Sequence, residues 1–554
     1  MIAYKDITKI IDLFNANYIL FTLAISVVSA ILLLALSKKY LQILQQSSYR
    51  NCEFNDWLKK KPNVYNSRLI ALTVLSFLGS VIVVISFAFL QSEITAYASL
   101  LVYILFVALY FLGDKKHKDK CPLSFTNRIK RLIGAYFLIS LIISFALLTL
   151  INIAFYYAKD IWWLKSLRLS FVTVLPCFIP KIIKLANLII SPIEKSINKK
   201  FIKIATKKLE SFPDMIKIGI TGSYGKTSVK NMLSTILSSK YKVFATPKSY
   251  NTPMGVSMAV ESLDSSFDIF ICEMGARYKG DIKELCDIVN PSYGIITGIT
   301  KQHLQTFKTL ENIKETKAEL LKAVKTCVIS SDSEATLSLK TESGVEIITA
   351  GINEEGQVFA QDIKCTKQGS EFILNFNGQK ISASTKLLGE HNVSNLVLAS
   401  ALAFKLGLSL EEIAEGISKV ENVPHRLELV KNDKGITIID DSYNANPVGT
   451  KAAIRVAKSF GSRTIVVTPG MVELGKFEKL ENIEYGKNLA VCDIVILVGE
   501  TCAYSVREGL FEAGFNFDNV FMVKTMEDAK VKLSDIVQEG DTVLFENDLP
   551  DRFL

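Results

Sequence analysis

The chain has few histidines, four in 554 residues, and its nine cysteines are scattered with no C-x-x-C pair among them. That spacing excludes a zinc ribbon and a secreted disulfide framework alike, and fits a reduced chain facing the cytosol. There is no internal repeat and no low-complexity tract. Acidic residues are scarce at the front: up to Asp214 there are 11 Asp+Glu against 27 Lys+Arg, and beyond it 44 against 37. The net charge of +9 therefore belongs to the first part of the chain, and it points to no nucleic-acid partner. About three or four domains are expected at this length.

Mean hydropathy is +0.28, high for a soluble enzyme, and the excess is uneven. Four apolar stretches, Tyr18–Leu36, Leu69–Leu90, Tyr97–Gly113 and Ile133–Ala158, are long enough to cross a bilayer about 30 Å thick as helix. Polar sequence precedes the first and three spans follow it, so it is no cleavable signal. Residues 37–68 carry seven Lys/Arg, residues 91–96 none and residues 114–132 seven, which makes the first and third loops cytoplasmic. The N-terminus then lies outside. A fifth crossing over the short run Leu169–Pro180 would bring everything after it to the cytoplasmic face of the inner (plasma) membrane. The lysine-rich stretch Pro192–Phe212 reads as a basic segment on that surface or as a solvated helical linker.

From residue 215 short β-rich runs alternate with helical segments, the βαβ pattern of a parallel sheet covered on both faces. The expected fold is a multi-span α-helical membrane region over 1–191 with about five helices, a basic linker over 192–214, and then α/β. The α/β part divides into a P-loop parallel-sheet domain over 215–420, with a small β insertion near 340–388, and a Rossmann-like domain over 421–554.

"TGSYGKTS" (221–228) follows an apolar strand and opens a helix, where a Gly-rich turn presents backbone N–H groups and the positive end of the helix dipole to an anion. Gly222 and Gly225 would let the backbone approach phosphates, Lys226 would reach the β/γ-phosphates, and Thr227 would bind Mg²⁺. The strict P-loop pattern misses by one place, since residue 220 is Ile and the upstream glycine is Gly219. In "FDIFICEMGARYKGDI" a buried-looking strand runs straight into Glu273, and an acidic residue at the carboxyl end of such a strand is well placed for a metal ion. Another strand-like run ends near His303, and His391 and His425 also stand in motif-like surroundings. Taken alone, each histidine reads more often as a capping or packing residue than as a ligand, position alone favours an exposed surface lysine for Lys317 in "ETKAEL", and "IIDDSYNANP", with Asp440, Asp441, Asn444 and Asn446, reads by composition as a polar turn.

In order, "GITGSYGKTSVK", "SYNTPMGV", "CEMGARYKGDI", "ITGITKQHLQTF", "KAEL", "GEHNVSN", "HRLE" and "DDSYNANP" resemble the ATP-dependent Mur ligases, and within them the branch that adds D-alanyl-D-alanine to a UDP-linked muramoyl tripeptide. The resemblance spans roughly 215 to 545 and implies an ADP-forming ligase that phosphorylates a donor carboxylate, with ATP and Mg²⁺. It implies that Gly222, Gly225, Lys226, Thr227 and Ser228 hold the phosphates, and that Thr227, Glu273, His303 and a carbamylated Lys317 hold metal. By the same resemblance Asn392 and Asn395 lie beside adenine, Asp441 meets the ribose, and Arg426 reaches the γ-phosphate from the C-terminal domain. Lys226, His303, Lys317 and Arg426 would be the catalytic set, and Val420–Pro424 the hinge.

The chain departs from that pattern in three places. No domain for gripping UDP is visible ahead of the core, where the membrane stretches stand instead. "TPGMVELG" has Pro469 and Gly470 where Gly-Asp is usual, and Asn482 replaces a histidine. Glu546, Asn547 and Asp548 replace a Lys-Gly-Ser run. The expectation is therefore a membrane-anchored amide ligase of cell-wall precursor synthesis, joining a muramoyl-peptide donor, UDP-linked or lipid-linked, to an amino acid or dipeptide. The alternatives are D-alanyl-D-alanine added to a UDP-linked muramoyl tripeptide, a polymer ligase resembling poly-γ-glutamate synthase, and a non-catalytic membrane scaffold.

Overall fold

The computed structural model describes residues 16–59, 64–86, 92–114, 121–157, 167–339, 344–430, 435–443 and 445–549. The chain forms two compact units, one within residues 16–197 and one within 198–549.

The first unit is helical. Ala16–Leu36, Val64–Ser86, Ser92–Asp114 and Asn127–Tyr157 are long helices, and short amphipathic helices Lys38–Gln46 and Asn51–Lys59 follow the first of them. Four stretches are long and apolar enough to cross a membrane: Ile19–Leu36, Tyr65–Ser86, Asn127–Ala154 and Ser170–Glu210; Leu101–Leu112 is a shorter apolar helix. The fifth crossing differs from expectation. Leu167–Phe178 is a 3₁₀ segment that runs into a 32-residue helix, Ile179–Glu210, so the apolar run does not stop at Pro180. The stretch read as a basic linker is helical to Glu210, with Pro192 inside it. Polar side chains tie the helices together: Ser29 meets Ser144 at 3.1 Å, the Tyr136 hydroxyl donates to Leu33 O at 3.1 Å, and Arg131 forks onto Glu194 at 2.5 and 2.9 Å.

The second unit holds two sheets. Strands β1 (Ile216–Thr221), β2 (Val243–Ala245), β3 (Ile269–Glu273), β4 (Tyr293–Ile296), β5 (Thr326–Ser330), β6 (Glu346–Gly351), β7 (Val358–Thr366), β8 (Gly369–Phe376) and β9 (Gln379–Thr385) form the first. Their order is β2-β3-β1-β4-β5-β6-β7-β8-β9, parallel through β7 and antiparallel from there. Strands such as "IFICE" are near-continuous apolar runs because both faces are covered. Ile218, Ile220, Ile269 and Ile271 face helix Lys226–Leu237 through Val229, Leu233 and Ile236. Phe270, Cys272 and Ile296 turn to the opposite face, against Leu285, Ile288 and Ile313. Burying each such aliphatic side chain contributes about 1.5–3 kcal/mol. This alternation fixes the register Ile220↔Glu273 and Thr221↔Ile296, so the carboxyl ends of β3, β1 and β4 lie side by side.

Strands β10 (Glu428–Val430), β11 (Thr437–Asp441), β12 (Thr464–Thr468), β13 (Ile494–Val498), β14 (Val520–Val523) and β15 (Thr542–Glu546) form the second sheet, ordered β10-β11-β15-β12-β13-β14. All pairs are parallel except β10 with β11. Helices Pro447–Ser459, Glu478–Leu489 and Ala503–Glu512 cover one face, and Met526–Ile536 the other. Asp441 and Glu546 are register partners at the carboxyl edge.

Candidate functional site

The turn after β1 is built around two glycines. Gly222 has φ 152°, and a Cβ there would lie 2.1 Å from Thr297 Oγ1; Gly225 has φ 75°, and a Cβ would lie 2.6 Å from Asn395 Oδ1. Only glycine satisfies both demands at once, left-handed backbone and close approach. Gly225 caps helix Lys226–Leu237, whose first-turn N–H groups open toward the loop. Ile220, at the place where the strict motif wants glycine, is a fully buried strand residue. The loop closes without it.

Lys226 folds back over this turn, its Nζ donating to Gly222 O at 2.7 Å and to Ser223 O at 3.3 Å. Desolvation brings its pKa down to about 8, with Glu273 pulling the other way and Arg426 adding to the fall. Glu273, buried at the end of β3, gathers three donors: Thr227 Oγ1 at 2.9 Å and Lys230 Nζ at 3.2 Å on Oε2, and Asn251 Nδ2 at 2.9 Å on Oε1. Lys230 and Asn251 were missed as site residues in the sequence, although Lys230 stands one turn beyond Lys226 in "GKTSVK" and Asn251 within "SYNTPMGV".

His303 begins a single helical turn, Leu304–Phe307, with φ 52°. Its Nδ1 bonds Glu473 Oε2, and Arg277 Nη1 lies 3.4 Å from Glu473 Oε1. Burial holds the imidazole below its usual pKa, and the charges of Arg277 and Lys226 add to that effect while Glu473 opposes it. Lys317 sits in helix Leu310–Ala318 and is 3% exposed. Among the described residues no hydrogen bond or ion pair reaches its amine, and burial, with the Lys226 charge, pushes its pKa well down. The surface-lysine reading of Lys317 is thus corrected.

Asn392 and Asn395 lie in the first turns of helix Glu390–Lys405; Asn392 Nδ2 donates to Leu388 O at 2.9 Å, and Asn395 stands against Gly225. Asn392, Ser228, Asn231, Asn422 and Arg426 line a narrow cleft. The Arg426 guanidinium stacks over Tyr443 at 4.3 Å, with desolvation lowering its pKa against the charges of Asp441, Tyr443 and Glu273. Asp441 is pushed up to about 6 by burial, and its Oδ1 accepts from Leu427 N at 3.3 Å. His425 bonds Asp440 at 2.7 Å, and Asn446 caps Pro447–Ser459; Asn444 lies outside the described residues. His391 is held down to about 4 by burial.

Lys226 is the hub of this cluster. The charges of Glu273 and Arg426 act on it, and its own charge acts on His303 and Lys317. A hydroxyl (Thr227), a carboxylate (Glu273) and an imidazole beside a phosphate-binding loop are a donor set that fits a divalent cation.

The residues that depart from the expected C-terminal pattern also meet. Asn482 Oδ1 accepts from Met471 N at 2.8 Å while its Nδ2 donates to Met471 O at 2.8 Å; Asn547 Nδ2 donates to Gly470 O at 2.6 Å. Glu546, 1% exposed, accepts the Tyr485 hydroxyl at 2.5 Å on Oε2 and has no partner for Oε1.

A phosphate-binding loop at the carboxyl edge of one parallel sheet, with an arginine supplied by a second α/β domain, defines an ATP-dependent ligase. Residues 220–403 match the Mur ligase middle domain and residues 425–546 the Mur ligase glutamate ligase domain. The chain is 31% identical over 336 residues to the UDP-N-acetylmuramoyl-tripeptide–D-alanyl-D-alanine ligase of Bacillus subtilis (strain 168), covering 59% of this chain and 72% of that one. To the Escherichia coli (strain K12) ligase of the same name it is 28% identical over 335 residues, 59% and 73% of the two chains. A crystal structure of MurF from Acinetobacter baumannii superposes with TM-score 0.59 at 27% identity, covering 63% of this chain and 77% of that one; MurF ligase from Thermotoga maritima in complex with ADP gives 0.57 at 25% identity, covering 63% and 80%. The chain belongs to the Mur ligase family.

Proposed function

We propose that this protein is a membrane-anchored ligase of cell-envelope precursor synthesis, forming an amide bond between the carboxylate of a lipid-linked muramoyl peptide and an incoming amine. The observation that carries the ligase chemistry is the glycine-built phosphate loop whose Thr227 bonds the buried Glu273 carboxylate at 2.9 Å, with Arg426 of the C-terminal domain lining the adjoining cleft beside Ser228. Loop N–H groups, Lys226 and Arg426 would hold the γ-phosphoryl group and offset the charge that spreads over its oxygens. The donor carboxylate oxygen attacks phosphorus and ADP leaves; the acceptor nitrogen then attacks the acyl carbon, loses a proton, and inorganic phosphate departs. Asn392 and Asn395 would face adenine, and Asp441 the ribose. Thr227, Glu273, His303 and a carbamylated Lys317 would hold Mg²⁺, which when bound draws negative charge off the phosphates. Burial, with the Lys226 charge, favours the neutral form of the Lys317 amine, the form whose nitrogen lone pair would react with CO₂.

The lipid-linked donor is supported by four helices of membrane-crossing length ahead of the matched segment. Topology from the charge of the loops would put the N-terminus outside and the ligase domains in the cytoplasm. A second reading, D-alanyl-D-alanine added to a UDP-linked tripeptide, is favoured by the activity named for the relatives. The altered cluster of Gly470, Asn482, Glu546 and Asn547 argues for a different acceptor. The test is ATP-dependent phosphate release by the detergent-solubilised protein with UDP-linked or lipid-linked donors, followed by product mass. Turnover of the UDP-linked donor as fast as the lipid-linked one would remove the lipid reading.

A further inference from the structure

The segment Glu473–Gly475 of the C-terminal domain grips the turn that carries His303. Glu473 O accepts Gln305 N at 3.1 Å, and Gly475, at φ 59°, lies against the Leu304–Gln305 backbone with its Cβ direction 3.2 Å from Gln305 N. The Glu473 side chain goes further and bonds the imidazole itself, at Nδ1. A carboxylate only accepts, so the proton must sit on Nδ1, and Nε2 is left as the nitrogen with a free lone pair. Among the described residues no hydrogen bond is made at Nε2. Arg277, which follows Glu273 by four positions, pins the other Glu473 oxygen at 3.4 Å. Both His303 and Glu473 adopt left-handed backbone, φ 52° and 66°, a conformation costly for side-chain-bearing residues and retained where the surroundings impose it.

We propose that Glu473 is a positioning residue of the metal site: by accepting the His303 Nδ1–H it fixes the tautomer and ring orientation that leave Nε2 as ligand, so that docking of the C-terminal domain and completion of the metal site are one event. The proposal rests on the ligase reading only in taking His303 as a metal ligand. Carboxylates that orient a ligating histidine in this way change metal affinity by about 10–100-fold when removed.

The experiment titrates Mn²⁺ alone into the full-length, detergent-solubilised protein and reads the free ion by its electron paramagnetic resonance signal. Glu473→Ala should weaken binding about 10–100-fold. Glu473→Gln, whose amide oxygen still accepts an N–H, should lose less. His303→Ala, which removes the ligand itself, should weaken binding at least as much as Glu473→Ala, and the double variant no more than His303→Ala, as for two residues acting through one contact. Glu481→Ala breaks the neighbouring interdomain pair with Lys301, 2.8 Å in length, without touching His303, and should leave affinity unchanged. Wild-type affinity in Glu473→Ala, an equal loss in Glu481→Ala, or no Mn²⁺ binding by the unsubstituted protein would each overturn the proposal. No donor or acceptor enters the measurement, so a wrong substrate assignment leaves its outcome intact.

Discussion

Replacing Glu546 by Gln should stabilise the protein at neutral and alkaline pH and leave it unchanged in mild acid. The carboxyl is 1% exposed, its Oε1 has no partner, and burial, with the nearby Asp441 charge, raises its pKa from 4.5 to about 8; the Tyr485 hydroxyl on Oε2 only partly offsets this. In the folded protein the group keeps a proton that the unfolded chain gives up above about pH 4.5. Unfolding therefore releases a proton, and stability falls as pH rises toward about 8, at up to about 1.4 kcal/mol per pH unit. By about pH 7.5 the accumulated loss is on the order of 4 kcal/mol. Gln is neutral, fills nearly the same volume and still accepts from Tyr485, so it removes the slope. For a domain of this size about 3 °C in Tm accompanies each kcal/mol, which makes the expected gain about 10 °C near pH 7.5. Scanning calorimetry of wild type and Glu546→Gln from about pH 5 to about pH 8 tests it. Parallel Tm curves for the two proteins, or a wild type that gains stability with rising pH, would refute the reasoning.

Arg426→Ala should cut ATP turnover by about 10³-fold or more while leaving the Tm nearly unchanged, since the guanidinium acts on phosphoryl charge and its stacking on Tyr443 is partly solvent-facing; steady-state phosphate release measures it. Gly222→Ala should cost about 1–3 kcal/mol and abolish nucleotide binding, because the new methyl would lie 2.1 Å from Thr297 Oγ1 at φ 152°; a stable variant that still binds ADP would show that the loop yields. In ¹³C-bicarbonate the full-length protein should give a carbamate carbon signal that disappears in Lys317→Ala, because burial and the Lys226 charge favour the neutral Lys317 amine.

What the sequence showed of this molecule follows the range of the forces involved. The phosphate loop was legible because its pattern is local: two glycines, a lysine and a hydroxyl residue must occur within a few positions of a strand end, although Thr297 and Asn395, which crowd the two glycines, come from far along the chain. Glu273 was legible for the same reason, as the last residue of an apolar strand. Lys317 was not legible from its own surroundings, since a lysine near the end of a polar helix looks exposed until β1 and the loop are packed beside it; resemblance alone marked it. The apolar run expected over Leu169–Pro180 reads as short in the sequence because Lys181 and Lys184 enter it; in the structure the helix Ile179–Glu210 continues through both lysines, and Lys184 Nζ donates to Asn55 Oδ1 at 2.9 Å.

Contacts between the two α/β domains were the least legible, and they bear most directly on mechanism. Glu473 is 170 positions from His303, and no periodicity or spacing links them. Residues 470, 482, 546 and 547 stood out in the sequence as unrelated departures, yet they share one buried polar cluster at the carboxyl edge of β12 and β15. A lone exchange of charge in such a place would strand a carboxylate in an apolar core. Here Tyr485 takes one oxygen, and burial keeps a proton on the group. Two residues of the C-terminal domain thus reach the central domain: Arg426, which lines a cleft with Ser228 of the phosphate loop, and Glu473, which bonds His303. If the domains parted, both would be lost together, so the loop would lose its arginine and its oriented histidine in one movement. For the reaction proposed above, that coupling would confine phosphoryl transfer to the arrangement in which the two domains are docked.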